Sequence, residues 1–261
     1  NNGFDVAAFA QAMAQVKGNK IITLLNFPNN PTGYTPTVAE AEQIQQAILQ
    51  EAEKGKQIVV IIDDAYFGLV YEQGVFMESI FTKLCNLHSN VLAVKLDGPT
   101  KEDYVWGFRV GFMSYGIKNG SAALYEALEA KTAGAVRGNI SNISNLSQSL
   151  LYKVYQSEKY DAYKQEKYDI LKSRYAALKK ALQSNDLGTY YDSLPYNSGY
   201  FMCIRVKQGI NGEKLRQLLL EKYSTGVIVF GDIVRLAYSA VPEHKIETLV
   251  SNIYNACKEL A

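Results

Sequence analysis

Lys101 closes the stretch Asp97-Gly98-Pro99-Thr100-Lys101, and Arg109 follows eight residues later within Gly107-Phe108-Arg109-Val110-Gly111. A lysine that condenses with an aldehyde must first lose its proton, which nearby cations and partial desolvation favour. Arg109 supplies such a cation, and its planar fork suits a phosphate gripped by two parallel hydrogen bonds. The pair alone is weak evidence, because the chain holds 27 lysines and arginines and most of them must be ordinary solvated charges. It gains meaning only if other segments supply what a phosphate-bearing aldehyde needs.

Two earlier segments do. Asn26-Phe27-Pro28-Asn29-Asn30-Pro31-Thr32-Gly33 follows the apolar run Ile21 to Leu25 and precedes a helical segment. Two X-Pro steps and a glycine mark a fixed turn at the carboxyl end of a strand, where loops carry ligand-binding groups; the plainer reading is an ordinary Asn-Pro turn. Ile58-Val59-Val60-Ile61-Ile62 is an unbroken β-branched run of the kind a strand buried on both faces requires, and it ends in Asp63-Asp64-Ala65-Tyr66. An open α/β sheet binds its ligands at the carboxyl ends of its strands. A carboxylate desolvated there needs a cation, and a protonated pyridine nitrogen is one. Adjacent strand residues point to opposite faces, so only one acid can serve the ring; Asp63 is favoured, and Asp64 reads as a cap or turn residue.

Asn30-Pro31-Thr32-Gly33, Asp63-x-Ala65-Tyr66, the Lys101 to Arg109 spacing and the late Arg235-Leu236-Ala237 together resemble the class I and II aminotransferases, pyridoxal-phosphate enzymes of fold type I. The resemblance runs from a helix beginning near Asp5 to the terminal helix, and the order of the motifs is more specific than any one of them. It implies that Lys101 bonds the cofactor aldehyde and that Asp63 keeps the ring nitrogen protonated. It further implies that Asn30 and Tyr66 hydrogen-bond the ring's phenolic oxygen, that Arg109 binds the phosphate, and that Arg235 binds the substrate α-carboxylate. Gly98 stands where the family often has a phosphate-binding serine, so Thr100 or the Gly98 backbone is expected to take that bond.

Arg137-Gly138-Asn139-Ile140-Ser141-Asn142 is similar to a stretch of the aspartate and aromatic branch, in which the arginine reaches a substrate side-chain carboxylate across a dimer interface. Gly138 and Asn139 depart from that pattern, which leaves a surface arginine as an equal alternative. The family's glycine-rich phosphate loop, its cofactor-stacking aromatic residue and its amino-terminal arm precede the Asn-Pro-Thr-Gly turn. Here the chain reaches that turn within its first 33 residues. The resemblance thus implies a carboxyl-terminal portion lacking an amino-terminal segment of about 150 residues, one domain's worth.

Composition narrows the class without naming a function. The 27 basic and 26 acidic residues leave a net charge of +1, which gives no electrostatic case for nucleic acid or an acidic membrane surface. Cys85, Cys203 and Cys257 are odd in number and widely spaced, which favours reduced thiols and a cytoplasmic location. His88 and His244 are too few for a metal cluster, so no metal is expected. No apolar run approaches membrane-spanning length. The 19 tyrosines recur at helical spacing around Tyr152, Tyr155, Tyr160, Tyr163, Tyr168 and Tyr175; without a basic excess they read as packing against a neighbouring element or partner subunit rather than base stacking.

The elements that must hold these residues alternate as an α/β domain requires. A helix from Thr37 to Lys54 crosses between the Ile21 and Ile58 strands; Val91 to Leu96 is the strand that delivers Lys101, and Arg109 to Tyr115 the next. Leu124 to Lys131 is helical, and Ser147 to Gln183 forms one long or broken helical stretch. Strands at Tyr200 to Val206, Val227 to Val229 and Val234 to Ala237, with helices at Glu213 to Tyr223 and Pro242 to Glu259, make a small α+β unit. The expected division is residues 1–150 as part of a large cofactor-binding domain with a mostly parallel sheet, 151–185 as a linking helix, and 186–261 as a small carboxyl-terminal domain.

The function implied is a pyridoxal-phosphate-dependent aminotransferase that moves an amino group between an amino acid, aspartate-like or aromatic, and a 2-oxo acid by a ping-pong mechanism. The intact protein is expected to be a homodimer, and this portion alone to be inactive. A β-lyase of the same fold type and a non-catalytic fragment or cofactor-binding regulatory domain are the alternatives.

Overall fold

The computed structural model describes residues 3–184 and 187–261. Helix α1 (Val6–Ala14) starts where Asp5 Oδ1 accepts the Ala8 N–H at 2.9 Å, and strand β1 (Lys20–Asn26) follows. Helix α2 (Val38–Glu53) opens on a capping box: the Thr37 hydroxyl accepts the Glu40 N–H, and the Glu40 carboxylate accepts the Thr37 N–H at 2.7 Å. Then come β2 (Gln57–Asp63), the short α3 (Phe81–Leu84), β3 (Val91–Asp97), the single-turn α4 (Pro99–Glu102) and β4 (Phe112–Gly116).

These strands form one sheet in the order β1-β2-β3-β4, the first three parallel and β4 antiparallel. The register sets Asn26 beside Asp63 and Asp63 beside Leu96, so the acid at the end of β2 is flanked by the ends of both neighbours. The strand expected from Arg109 starts only at Phe112. Arg109 itself adopts a left-handed conformation, φ 54°, after a 3-10 turn at Trp106–Phe108.

One face of the sheet packs against α1 and α2 through Ile21, Leu25, Ile58, Val60 and Ile62 on the strands and Met13, Ile44 and Ile48 on the helices. The other face differs from the expectation of burial on both sides. Val59 and Ile61 are half-buried there, and Ile22, Leu24 and Met113 are 66%, 59% and 46% exposed. The β-branched composition is that of a doubly covered strand, but among the described residues no layer covers those three side chains.

Helix α5 (Ala122–Asn139) runs beyond the expected end at Lys131 and buries none of its residues. Of the two forms expected for the long helical stretch, the broken one is found: α6 (Asn145–Tyr155) and α7 (Tyr160–Ser184) are separated by a turn in which the Ser157 hydroxyl accepts the Lys159 N–H at 3.3 Å. The expected division at residues 185 and 186 lies outside the described residues.

A second, antiparallel sheet, order β5-β6-β8-β7, is built from β5 (Tyr191–Ser193), β6 (Met202–Val206), β7 (Ile228–Phe230) and β8 (Ile233–Leu236). Helices α7, α8 (Gly212–Tyr223) and α9 (Ile246–Leu260) close its core around Leu178, Met202, Ile204, Leu215, Val234 and Val250. The first turn of the final helical segment is 3-10 at Glu243–Lys245, so α9 starts later than the expected Pro242. The architecture is mixed α/β: a parallel-dominated sheet flanked by helices, then a small antiparallel sheet. No helix among the described residues is long and apolar enough to cross a membrane.

Candidate active site

The turn after β1 ties itself first to its own strand. Asn26 Oδ1 accepts the Asn30 N–H at 2.8 Å, and Asn26 Nδ2 donates to the Asp63 carbonyl at 3.1 Å. Gly33, at φ 70°, is where the turn meets the second sheet. A Cβ there would lie 1.9 Å from the Phe201 carbonyl oxygen, so only glycine permits the approach. The Gly33 carbonyl accepts the N–H groups of Asn197 and Ser198 at 2.9 Å each, and Asn197 exchanges two side-chain bonds of 2.8 Å with the Thr35 backbone. This seam brings β8 over the turn. Arg235 Nη1 donates to Asn30 Oδ1 at 2.9 Å, and its guanidinium carbon lies 4.3 Å from the centre of the Phe201 ring.

The two acids at the end of β2 part as strand alternation requires. Asp63 lies on the open face with Asn26, and its Oδ1 accepts the Ala65 N–H at 3.1 Å. Among the described residues no lysine or arginine forms a salt bridge with it. Asp64 turns to the covered face, 1% exposed, with its Oδ2 3.7 Å from Lys95 Nζ, which also pairs with Asp97 at 2.5 Å. Burial pushes the Asp64 carboxyl up to about 6 against the opposing pull of Ser79 and Lys95. Lys95 is thus bonded to Asp97, and the buried Asp64 Oδ2 beside it has no hydrogen-bond partner among the described residues, whereas Asp63 presents its carboxylate on the open face.

Lys101 is carried by α4, directly beyond β3. Its Nζ lies 5.9 Å from the ring centre of Tyr66 and 6.0 Å from those of Trp106 and Tyr200. Burial lowers its pKa, and the charge of Arg109 lowers it further. Tyr66 is buried and meets the Tyr200 ring edge-on at 5.3 Å. Burial raises its phenol pKa, with Arg235 opposing and Asp63 adding. Gly98 has a steric reason to replace serine: a Cβ would stand 3.0 Å from the Val110 carbonyl oxygen and 3.1 Å from Gly111 Cα. Thr100 is half-buried and Arg109 exposed on either side of that close approach.

Arg137 lies apart from this cluster in what it bonds: at the end of α5, exposed, it donates to Ser141 Oγ at 2.7 Å. Three aromatic residues of the site carry no signal in the sequence. Trp106 belongs to no motif, Tyr200 and Phe201 only open the strand expected from Tyr200 to Val206, which starts at Met202, and the Gly33 seam is what turns those two rings to Lys101 and Arg235. The described residues contain no cluster of histidine, cysteine or acidic side chains able to hold a metal, and the three cysteines are free.

A parallel-dominated sheet with a lysine beyond one strand, an unpaired acid at the end of the next and an arginine from a second sheet defines a class that comparison identifies. The family model "Aminotransferase class I and II" matches residues 1–253, and the chain belongs to that family. Its fold is aminotransferase fold type I.

Among solved structures, an aminotransferase from Anaerococcus prevotii is 28% identical with a TM-score of 0.84; the match covers 97% of this chain and 61% of that one. LysN, the α-aminoadipate aminotransferase of Thermus thermophilus, solved with N-(5'-phosphopyridoxyl)-L-leucine, is 19% identical with a TM-score of 0.76, covering 99% and 64%. The aromatic aminotransferase of Pyrococcus horikoshii is 19% identical with a TM-score of 0.73, covering 96% and 63%. The chain thus spans less than two thirds of the length of each. Comparison with curated proteins gives no match.

Proposed function

We propose that the chain carries the cofactor lysine and the substrate-carboxylate arginine of a pyridoxal-phosphate-dependent aminotransferase that exchanges amino groups between an amino acid and a 2-oxo acid by a ping-pong mechanism. The observation that carries this reading is the meeting of four remote segments: Arg235 bonded to Asn30, Asn26 paired in register with Asp63, and Lys101 set over Tyr66. The donor set fits the cofactor. An amine with lowered pKa and a carboxylate that no cation pairs among the described residues are what an aldehyde and a pyridinium require, and Arg109, across the close approach at Gly98, offers a fork for the phosphate.

When bound, pyridoxal phosphate supplies an aldehyde that takes up the amino group and a ring that withdraws electrons from the substrate Cα. The chain's residues do the rest. Asp63 holds a proton on the pyridine nitrogen through a charge-assisted bond. Asn30 and Tyr66 offer hydrogen bonds to the phenolic oxygen, while Arg109, with Thr100 and the Gly98 backbone, grips the phosphate. Arg235, stacked on Phe201, takes the substrate α-carboxylate in its fork. Lys101 Nζ, once its ammonium proton has been passed on, would carry a proton between the substrate Cα and the cofactor's aldehyde carbon.

We read residues 1–150 as the large cofactor-binding part, 151–185 as the link and 186–261 as the small part, within a cytoplasmic homodimer. Aspartate-like or aromatic amino acids are the favoured substrates, with Arg137 reaching a side-chain carboxylate from the second subunit. The test is borohydride reduction of cofactor-treated protein with peptide mapping, beside assays of amino transfer to 2-oxoglutarate and of pyruvate or ammonia release. Label on Lys101 with amino transfer supports the reading; label on another lysine overturns it, and release of pyruvate and ammonia instead of transfer makes the protein a lyase.

A further inference from the structure

Glu102 and Asp103 directly follow Lys101, and both carboxylates are engaged by helices that come later in the chain. Asp103 Oδ1 accepts the Tyr160 hydroxyl at 2.6 Å, and Oδ2 accepts that of Tyr155 at 2.8 Å. Lys164 Nζ lies 3.4 Å from Asp103 Oδ1 and donates to Glu102 Oε1 at 2.6 Å and to the Tyr160 hydroxyl at 3.2 Å. An isolated surface ion pair would contribute little. Here the Asp103 side chain is only 5% exposed and its charge is met by three donors, so the bonds are charge-assisted and mutually reinforcing. Burial and the bond to Asp103 push the Tyr160 hydroxyl up to about 12, which keeps it a donor.

The same turn is held from a second direction. The Tyr200 hydroxyl donates to the Lys101 carbonyl at 3.0 Å. Tyr104, two residues after Glu102, stands at φ 60°, a region that bulky residues enter only where the surroundings impose it. Its ring packs with Tyr66, Leu69, Leu171 and Tyr200. Further along α7, the hydroxyl of Tyr168 donates to the Val70 carbonyl at 2.6 Å, and Arg174 bonds the Ser239 carbonyl beyond β8. Helix α7 is therefore a strut from the Lys101 turn to the second sheet.

We propose that Asp103 is a positioning residue for Lys101: by mooring the lysine-bearing turn to Tyr155, Tyr160 and Lys164 it holds Nζ among the rings of Tyr66, Trp106 and Tyr200. Its bearing on catalysis rests on the reading of Lys101 as the cofactor lysine, but the mooring itself is open to test without cofactor.

The experiment compares the protein with two variants, Asp103→Asn and the double substitution Tyr155→Phe with Tyr160→Phe, which keeps both rings. Two quantities are read on unloaded protein by mass spectrometry: amide hydrogen exchange in peptides spanning residues 98–105, and the pH midpoint for acetylation of Lys101 against the exposed Lys20. The unsubstituted protein should acetylate Lys101 with a midpoint below that of Lys20. Both variants should raise the midpoint toward that of Lys20 and speed exchange at 98–105 by roughly tenfold or more, the loss of one to two charge-assisted bonds. Exchange in β6 and β8 should stay unchanged. An unmoved midpoint overturns the proposal, whether exchange is unchanged everywhere or faster everywhere, since the latter is plain destabilisation. If those variants do not fold, Lys164→Met, which removes the cation alone, is read by the same criteria. Borohydride-fixed label on a lysine other than Lys101 would overturn the cofactor reading and leave the mooring result standing.

Discussion

Arg235 Nη1 donates to Asn30 Oδ1 at 2.9 Å although the two residues are 205 positions apart. The bond crosses from the small antiparallel sheet to the turn after β1, and the Gly33 seam beside it leaves little freedom in how the two sheets meet. The guanidinium is held twice, by the amide and by the Phe201 ring, so its orientation is set before any ligand arrives. A lysine at this position would keep the charge but lose the fork and the stack. Arg235→Lys is expected to raise the KM for the amino acid about 30-fold or more with a smaller effect on kcat, consistent with loss of a charged hydrogen bond of about 2 kcal/mol. Steady-state kinetics of the cofactor-loaded protein check this; a fall in kcat at constant KM would place the arginine elsewhere in the cycle.

Lys101→Ala should abolish turnover and the borohydride-fixed label together, while phosphate contacts leave weakened cofactor binding. Spectral titration with pyridoxal phosphate measures the binding and peptide mapping the label. Turnover that survives the substitution would remove Lys101 from the reaction.

Asp63→Asn and Asp64→Asn should separate sharply. A neutral amide at 63 cannot hold a pyridinium proton, so activity should fall by orders of magnitude. Asp64 faces Lys95 on the covered side and should matter little to turnover. Equal losses, or the reverse order, would mean that the end of β2 is misread.

Asp64 should instead show itself in the pH dependence of stability. Its folded pKa of about 6 lies above the ordinary 3.8, so between those values the native state binds a proton that the unfolded state releases. Stability from this group is therefore present below about pH 4 and is lost as pH rises through 6, on the order of 3 kcal/mol. Asp64→Asn should flatten that slope and raise the melting temperature at pH 7 relative to the unsubstituted protein. Denaturant melts from pH 4 to 7 decide it; identical slopes would show that Lys95 fully compensates the carboxylate.

Much of this site was legible in the sequence because its parts are local. The β-branched run before Asp63 and the X-Pro turn after β1 are short-range signals that chain geometry enforces, and the Lys101 to Arg109 interval spans a single turn and loop. The facing of Tyr200 and Phe201 was not legible, since it depends on the Gly33 seam, which closes a loop of more than 160 residues. That the helical stretch breaks was left open, and its position at Ser157 was not legible, because Gln, Glu and Lys around it are good helix formers; in the structure Tyr155 and Tyr160 on either side both turn to Asp103. The open sheet face was misjudged because composition records what a strand is suited to be buried by, not whether this chain supplies it.

That open face carries the last prediction. Ile22, Leu24 and Met113 are exposed at 66%, 59% and 46% on one side of the large sheet, and α5 buries none of its residues, with Ile140 and Leu146 just beyond it exposed at 58% and 70%. Apolar side chains grouped in this way favour association or cover by another segment. They also lie on the face that presents Asn26 and Asp63, so water reaches the site from that side and weakens its electrostatic contacts. The 261-residue chain should therefore bind an apolar-surface dye and self-associate as its concentration rises. Replacing Ile22 and Leu24 together by lysine should suppress the association without unfolding the sheet, because both side chains already face solvent. Sedimentation across a concentration series is the measurement. A monomer at every concentration that binds no dye would show that the face needs no cover.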